Sequence, residues 1–459
     1  MSGAPCASAP AVLSSLPMDA DARPSRLPHA PTQASVHRTL DALWRMESPR
    51  LVARMARMTG DIGVAEELAQ DVHLAALERW PLDGVPDNPA AWLTTAARRR
   101  AIDHLRQRSL HARKQVEYGI ECELLGAGRG ADMGDNPQDL ADDAIGDDLL
   151  RLICVACHPV LPPESRVALT LRLLGGLSTS EIARAFLQPE PTVAQRIVRA
   201  KRTLAEKQVP FDVPGREDLP ERLDAVLEVL YLIFNEGYAA SAGEDWTRPA
   251  LCEEALRLAR VLVGLLPQAS EAFGLLALME LQASRLRARV DGDGMPILLM
   301  DQDRRRWDRL QIARGLQALR RGEALAAAEG YGAYLLQAAI AACHATALHA
   351  EDTDWRRIAA LYAALGRARP SPVIELNRAV AVARSEGAEA ALDIVESLRD
   401  APALRDYAPL HAVRADVLER LGRREDAAAE YARAAALSAN VRERDVLLRK
   451  AEACGGAPE

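Results

Sequence analysis

Two prolines, Pro189 and Pro191, divide the stretch Leu177 to Lys207 into two short helices that must meet at a turn. A proline inside a helix removes a backbone donor and clashes with the preceding turn, so no single helix can run through. Each half carries its own start signal. Ser178 with Glu181 forms one capping box, and Thr192 with Gln195 forms a second. The first helix places Ile182, Ala185 and Phe186 on one side. The second repeats apolar residues at Val193, Ile197, Ala200 and Leu204 and leaves Arg196, Arg199, Lys201 and Arg202 largely outside that stripe. A capped helix, a turn and a basic second helix is the pattern of a helix-turn-helix, whose second helix enters the DNA major groove. An ordinary helical hairpin with a solvated basic face is the alternative.

Bulk properties narrow the class. The chain has 459 residues, 49% apolar and 27% charged, enough for several domains with real cores. Aromatics make up only 4% and β-branched runs are short, which predicts an all-α protein. The net charge of -8 hides an asymmetry: basic clusters lie before residue 115 and at 196–207, with acids between them. Local patches decide nucleic-acid binding, so the acidic total does not exclude it. Seven dispersed cysteines fit reduced thiols in a cytoplasm, and no run of about 18 apolar residues predicts a membrane span. Residues 1–33, rich in Ala, Pro and Ser, lack a signal peptide's basic and apolar regions and read as a disordered tail, with Met18 an alternative start.

In chain order, a helix from Val36 to about Thr59 carries Leu40, Leu43, Trp44, Leu51, Met55 and Met58, and Pro49 should break or kink it. A second runs from Asp61 to Trp80, buried through Leu68, Val72, Ala75 and Leu77. Pro81 to Asn88 is a loop. A third helix starts near Pro89, with Trp92, Leu93, Ala96, Ala97, Ile102 and Leu105 apolar and Arg98, Arg99, Arg100, Arg106 and Arg108 basic. Glu117 to Asp148 holds ten acids against one base, Arg129, and reads as a flexible linker.

Cys154-Val-Ala-Cys157-His158 matches the C-x-x-C-H haem-attachment pattern, and C-x-x-C also serves metal or disulfide chemistry. Haem attachment needs export, and zinc needs further ligands at suitable spacing; the sequence offers neither. Leu149, Leu150, Ile153, Cys154 and Cys157 instead form the apolar stripe of a helix, with cysteine as a small buried hydrophobe. No nucleophile elbow, phosphate loop or metal-spaced cluster follows. Cys343, His344 and His349 read as packing or surface residues, so neither catalysis nor a cofactor or metal is expected.

Pro210 to Leu219 marks a boundary, and about 240 helical residues follow. Leu223 to Phe234 is strongly apolar and is followed by Asn235-Glu236-Gly237-Tyr238. Residues 375–398 and 410–437 repeat one another: Gly387 aligns with Gly422 at a 35-residue offset, close to the tetratricopeptide period of about 34. Stacked helical repeats make a concave surface that binds a peptide or protein. The segment 288–310 interrupts the array with the turn Asp291 to Gly294, the apolar run Ile297 to Met300, and the polar set Asp301 to Trp307. It imitates the start of a calcium loop but lacks the later ligands. Either it is a β-turn with a short strand, or it is a docking or sensing loop carrying charge and Trp307 on its surface.

AEELAQDVHLAALERW, a loop, and NPAAWLTTAARRRAIDHLRQR closely resemble region 2 of the extracytoplasmic-function (ECF) sigma factors. The helix-turn-helix, down to TVAQRIVRAKRTL, resembles their region 4. Both occur in the expected order about an acidic linker and together cover 36–208. Ala97 and Ile102–Asp103 fit the family pattern. Leu187 and Gln188 stand where many relatives carry a glycine, which puts the usual turn geometry in doubt. Phe234–Tyr238 and 288–310 are similar to segments of the sigma subgroup with a tetratricopeptide-like C-terminal extension.

The resemblance implies a promoter-specificity subunit with these divisions: tail 1–33, region 2 over 34–112, linker 113–147, region 4 over 148–208, linker 209–220 and helical-repeat extension 221–453. It implies core RNA polymerase and promoter DNA as partners, and a cytoplasmic place. The helical repeats suggest a protein partner for the extension. Glu66, Glu67, Gln70 and Asp71 would dock the polymerase. Asp83, Asn88, Trp92, Arg98, Arg99 and Arg100 would handle the minus-ten element, aromatics and arginines suiting single strands. Ser180, Thr192, Gln195, Arg196 and Arg199 would read the minus-thirty-five element while Lys201 and Arg202 hold phosphates. The linker would run near the polymerase's RNA exit path, or serve only as a spacer. Asp301, Asp303, Arg304 and Trp307 would form a regulatory loop through which the extension controls the sigma core in cis. The other reading is a helix-turn-helix regulator whose repeats sense a ligand or protein.

Overall fold

The computed structural model describes residues 33–117, 142–186, 188–215, 218–240, 246–328 and 330–455. The tail up to residue 32, most of the acidic linker, Leu187 and Asp245 lie outside them. Every regular element among the described residues is helical, apart from one isolated bridge between Val290 and Pro296.

The first unit is α1 (Gln33–Thr59), α2 (Ile62–Asp83) and α3 (Pro89–Glu117). Contrary to the expected break, α1 runs on through Pro49, which is buried beside Ser48. An interior proline costs about 3 kcal/mol. Burying Leu51, Val52 and Met55, each 3% exposed or less, contributes about 1.5–3 kcal/mol apiece, so packing wins. Asp61 caps α2 as its side chain accepts from the backbone N–H groups of Gly63 and Val64. The α2 helix also carries through Pro81 to Asp83, so the expected loop shrinks to residues 84–88, and Ala76 rather than Ala75 is buried. Gly84 makes the exit at φ +87°.

The second unit is α4 (Asp142–Ala156), α5 (Pro163–Leu173), α6 (Thr179–Ala185) and α7 (Glu190–Glu206). Helix therefore takes both ends of the expected 113–147 linker. Cys154 and Cys157 are buried, as the apolar stripe requires, and Cys157 Sγ lies 3.3 Å from Thr170 Oγ1 on α5.

The extension is a succession of packed helices: α8 (Leu219–Tyr238), α9 (Pro249–Leu265), α10 (Ser270–Ala283), α11 (Arg309–Leu325), α12 (Ala333–Thr346), α13 (Trp355–Ala368), α14 (Pro372–Ser385), α15 (Ala388–Ser397), α16 (Ala408–Arg420), α17 (Arg424–Leu437) and α18 (Val441–Gly455). From α12 onward each helix packs on the next. The repeat glycines Gly387 and Gly422 sit at the α14–α15 and α16–α17 turns with φ of +115° and +76°, a conformation other residues rarely adopt. One continuous buried cluster runs from Leu40 to Ala345, so α8–α12 share their core with the two units before them.

Within 288–310 the expected turn forms, with Gly294 N donating to Asp291 O at 3.3 Å and Val290 bridging to Pro296, but the rest departs from expectation. Ile297 to Met300 forms no strand; Leu299–Asp301 is instead a single 3-10 turn. Trp307 is 3% exposed and Arg304 is 5% exposed, so neither offers a surface contact. Arg304 donates to the carbonyls of His344 and Ala347, both at 2.8 Å, and to Thr353 Oγ1 at 3.1 Å. It satisfies carbonyls at the end of α12 that have no helical partner. Only Asp301 and Asp303 of the four expected regulatory residues remain exposed.

Candidate nucleic-acid interface

The helix-turn-helix begins as its sequence predicts. Ser178 Oγ accepts from Glu181 N at 3.1 Å, and Glu181 Oε2 accepts from Ser178 N at 2.8 Å, a reciprocal capping box. The second expected box does not form. Helix α7 starts at Glu190, after Pro189 and with Pro191 in its first turn, and has no side-chain cap bond. Proline fits there because the first-turn N–H groups have no helical partner, so Thr192 lies inside the helix rather than at its cap.

Val193, Ile197, Ala200 and Leu204 are all buried, 5% exposed or less, against α5 and α6. That fixes the opposite face. Thr192, Gln195, Arg199 and Arg202 are exposed and lie at helical spacing on one side of α7. Arg202 pairs along the helix with Glu206. Arg196 is half-buried at the edge of this face, its Nη1 donating to Gln188 Oε1 at 2.8 Å. Ser180 stays in the cap, 3.0 Å from Ser178 Oγ.

Lys201 is elsewhere. Its ammonium turns inward and pairs with the Glu66 carboxylate on α2. Glu66, expected on an open polymerase-docking face, is 5% exposed. It also accepts from Arg172 Nε on α5 at 2.6 Å and from Gln70 Nε2 at 2.7 Å. Burial alone would raise the Glu66 carboxyl, but Lys201 and Arg172 outweigh it and hold it below its ordinary value. A second pair joins the units: Arg57 on α1 lies 3.4 Å from Asp148 on α4. Glu67 and Asp71 remain exposed, and Asp71 pairs with Arg100 at 3.0 Å.

In the first unit, Asp83 and Asn88 are exposed, and Asn88 Oδ1 accepts from Ala91 N at 3.0 Å, starting α3. Trp92 is half-buried, edge-on to Trp80 with centroids 5.6 Å apart. Arg99 is exposed; Arg98 is half-buried, as is the paired Arg100. An exposed arginine edge beside a partly open indole suits an unstacked strand.

The extension grips the helix-turn-helix from behind, leaving the outer face of α7 open. Arg248 at the start of α9 donates to Ala185 O at 2.6 Å and pairs with Glu236 of α8. Arg257 of α9 donates to Leu174 O at 2.5 Å, and Arg166 of α5 lies 3.0 Å from Glu228 of α8. The sequence reading missed Arg57, Asp148, Arg166, Arg172, Arg248 and Arg257. Each pairs with residues far away in the chain, and no local spacing signals such a partner.

Comparisons with known proteins match separate stretches of the chain. The family model described as Sigma-70 region 2 matches residues 43–110, and that described as Sigma-70, region 4 matches residues 153–204. A family of unknown function (DUF6596) matches residues 222–323. An uncharacterized protein of Rhizobium meliloti is 43% identical over 403 residues, 86% of this chain and 91% of that protein. The probable ECF RNA polymerase sigma factor SigI of Mycobacterium tuberculosis is 29% identical over 207 residues, 43% of this chain and 68% of that protein. The ECF RNA polymerase sigma factor SigK of Mycobacterium ulcerans is 29% identical over 159 residues, 34% of this chain and 78% of that protein.

Proposed function

Because the chain belongs to the extracytoplasmic-function sigma factors of the sigma-70 family, we propose that its free form holds regions 2 and 4 locked together and that the C-terminal extension governs their release. As a sigma factor it binds core RNA polymerase and promoter DNA for transcription initiation, and it is not an enzyme. Among the described residues no helix is long and apolar enough to cross a membrane; we place the protein in the cytoplasm, beside the polymerase.

In this reading Thr192, Gln195 and Arg199 read the minus-thirty-five element, with Arg196 swinging off Gln188 to join them. Arg202 and Lys201 hold phosphates. Asp83, Asn88, Trp92 and Arg98–Arg100 handle the minus-ten strand, and Glu67, Gln70 and Asp71 dock the polymerase. The carrying observation is the Glu66 clasp: one carboxylate on the docking helix occupies a phosphate-binding lysine of the recognition helix. Turned inward to Glu66, Lys201 is withdrawn from the outer face of α7, so in this reading phosphate binding by Lys201 favours opening. In this reading the hold of Arg248 and Arg257 of α9 on Ala185 and Leu174 is what ties the position of region 4 to the extension.

Run-off transcription with purified core polymerase tests this. Arg172→Gln weakens the clasp by removing one of the two cations on Glu66 without altering the docking helix, and Arg257→Gln loosens the extension's hold. Both should raise output above that of the wild-type chain. Equal output from all three proteins rejects the closed form as a control point.

A further inference from the structure

Behind the helix-turn-helix, the inner face of the extension closes around a cavity of about 360 Å³ between α8, α10, α12, α13 and α14. That is within the range of small-molecule sites. Tyr231, Phe234, Tyr238 and Tyr362 supply aromatic walls, with Leu278 and Ile340 as apolar floor. Three polar side chains stand at its edge: the half-buried amide of Asn235 and the exposed Asn377 and Arg369. Among the described residues no carboxylate lines the cavity.

Its surroundings are cationic as well. Arg289 is 7% exposed and lies 3.7 Å over the Tyr238 ring, with Arg285 at 5.5 Å from the same ring. Arg289 has no carboxylate within ion-pair distance among the described residues. A buried charge without a counter-ion is costly, and aromatic faces offset only part of that cost. An aromatic cavity with Arg369 at its rim, and with Arg289 stacked on one of its tyrosines and lacking a carboxylate partner among the described residues, suits an anion with a flat body.

The cavity is also wired to the DNA-binding unit. Asn235 and Tyr238 line it, and between them Glu236 pairs with Arg248, which holds Ala185 at the end of α6. The intervening Gly237 lets α9 approach without slack, since a Cβ there would meet Cys252 N at 2.7 Å. This one turn of α8 is thus linked to the helix-turn-helix through Glu236 and Arg248.

We propose that this cavity is the binding site for a small organic carboxylate with an aromatic body, and that its occupancy alters the grip of Arg248 on the helix-turn-helix. The second half rests on the reading that the extension governs region 4; the first does not.

The test uses the full-length protein with benzoate, phenylacetate and indole-3-acetate as probes, and phenylacetamide and indole-3-acetamide as neutral counterparts. Titration calorimetry should show saturable one-site binding of at least one carboxylate. Its affinity should fall at least tenfold for the matching amide and for Arg369→Gln, and weaken in Asn377→Ala. Absence of saturable binding by all three carboxylates, or binding indifferent to Arg369→Gln, overturns the site. Fluorescence anisotropy with a cognate minus-thirty-five duplex reads the coupling. The bound probe should change wild-type DNA affinity at least threefold and have no such effect in Glu236→Gln, whose probe-binding heat stays unchanged. Intact probe binding with unaltered wild-type DNA affinity keeps the site and refutes the transmission.

Discussion

The Lys201 ammonium of the recognition helix is bound by the Glu66 carboxylate of α2, with Arg172 on the same carboxylate. Both cations are about three-quarters buried there, and Glu66 almost wholly so. In such surroundings, breaking a pair by removing one partner strands a charge and costs far more than an exposed pair does. The clasp is therefore strong enough to matter, yet it is polar and reversible. A bundle held here by apolar packing alone would have no equivalent point of release.

Replacing Glu66 by Gln should destabilise the closed chain by about 3–5 kcal/mol, since Lys201 and Arg172 lose their counter-charge together. Urea unfolding measures the loss, and duplex binding by the same variant should tighten because Lys201 is released. A variant as stable as the wild type with unchanged DNA affinity would remove the clasp from the account.

The same carboxyl predicts a pH dependence. Its folded value lies below the ordinary 4.5, so its contribution is complete above that pH. It is lost as the pH falls through the depressed folded value. Unfolding free energies followed downward from pH 5 should decline more steeply in the wild type than in Glu66→Gln. Parallel curves would contradict this assignment.

On the outer face of α7, two substitutions should separate reading from holding. Gln195→Ala should cost about 1–3 kcal/mol on the cognate element and relax its sequence preference. Arg202→Ala should weaken all sequences alike and reduce the slope of log affinity against log salt by about one. Swapped behaviours would mean that the helix is rotated in the groove relative to this assignment.

Within 288–310, burial sorts the residues. Trp307→Ala should destabilise by about 3–5 kcal/mol, the range for a large buried aromatic. Asp301→Ala should stay within about 0.5 kcal/mol of the wild type, as an exposed side chain without a capping role does. Denaturant midpoints followed by circular dichroism decide it, and a harmless Trp307→Ala is the result that would return this residue to a surface role.

Cys154 and Cys157 should resist thiol reagents in the folded protein. Burial pushes their thiols up to about 11 and about 12, so almost no thiolate exists at pH 8. Labelling should track unfolding, with mass spectrometry locating the modified residues. Rapid stoichiometric labelling of either would show that α4 is open to solvent.

Much of this architecture was legible in the chain because the relevant forces act over three or four residues. The stripe Val193, Ile197, Ala200 and Leu204 follows from helical spacing, the Ser178–Glu181 box from backbone donors left free at a helix start, and the repeat from Gly387 and Gly422. Those local rules identified the outer face of α7 without knowledge of any neighbour. Where two local rules competed, packing chose: α1 and α2 continue through Pro49 and Pro81, and Pro191 fits a first turn that starts before Thr192. What only the tertiary structure decided is which charged side chains are available. Lys201 and Arg202 are neighbours on one helix, yet one is held by Glu66 and the other stands in solvent. Arg304 and Trp307 read as surface residues but are buried, Arg304 on the carbonyls at the end of α12. Charge pairing and burial depend on distance in space, and the partners lie tens to hundreds of residues away along the chain.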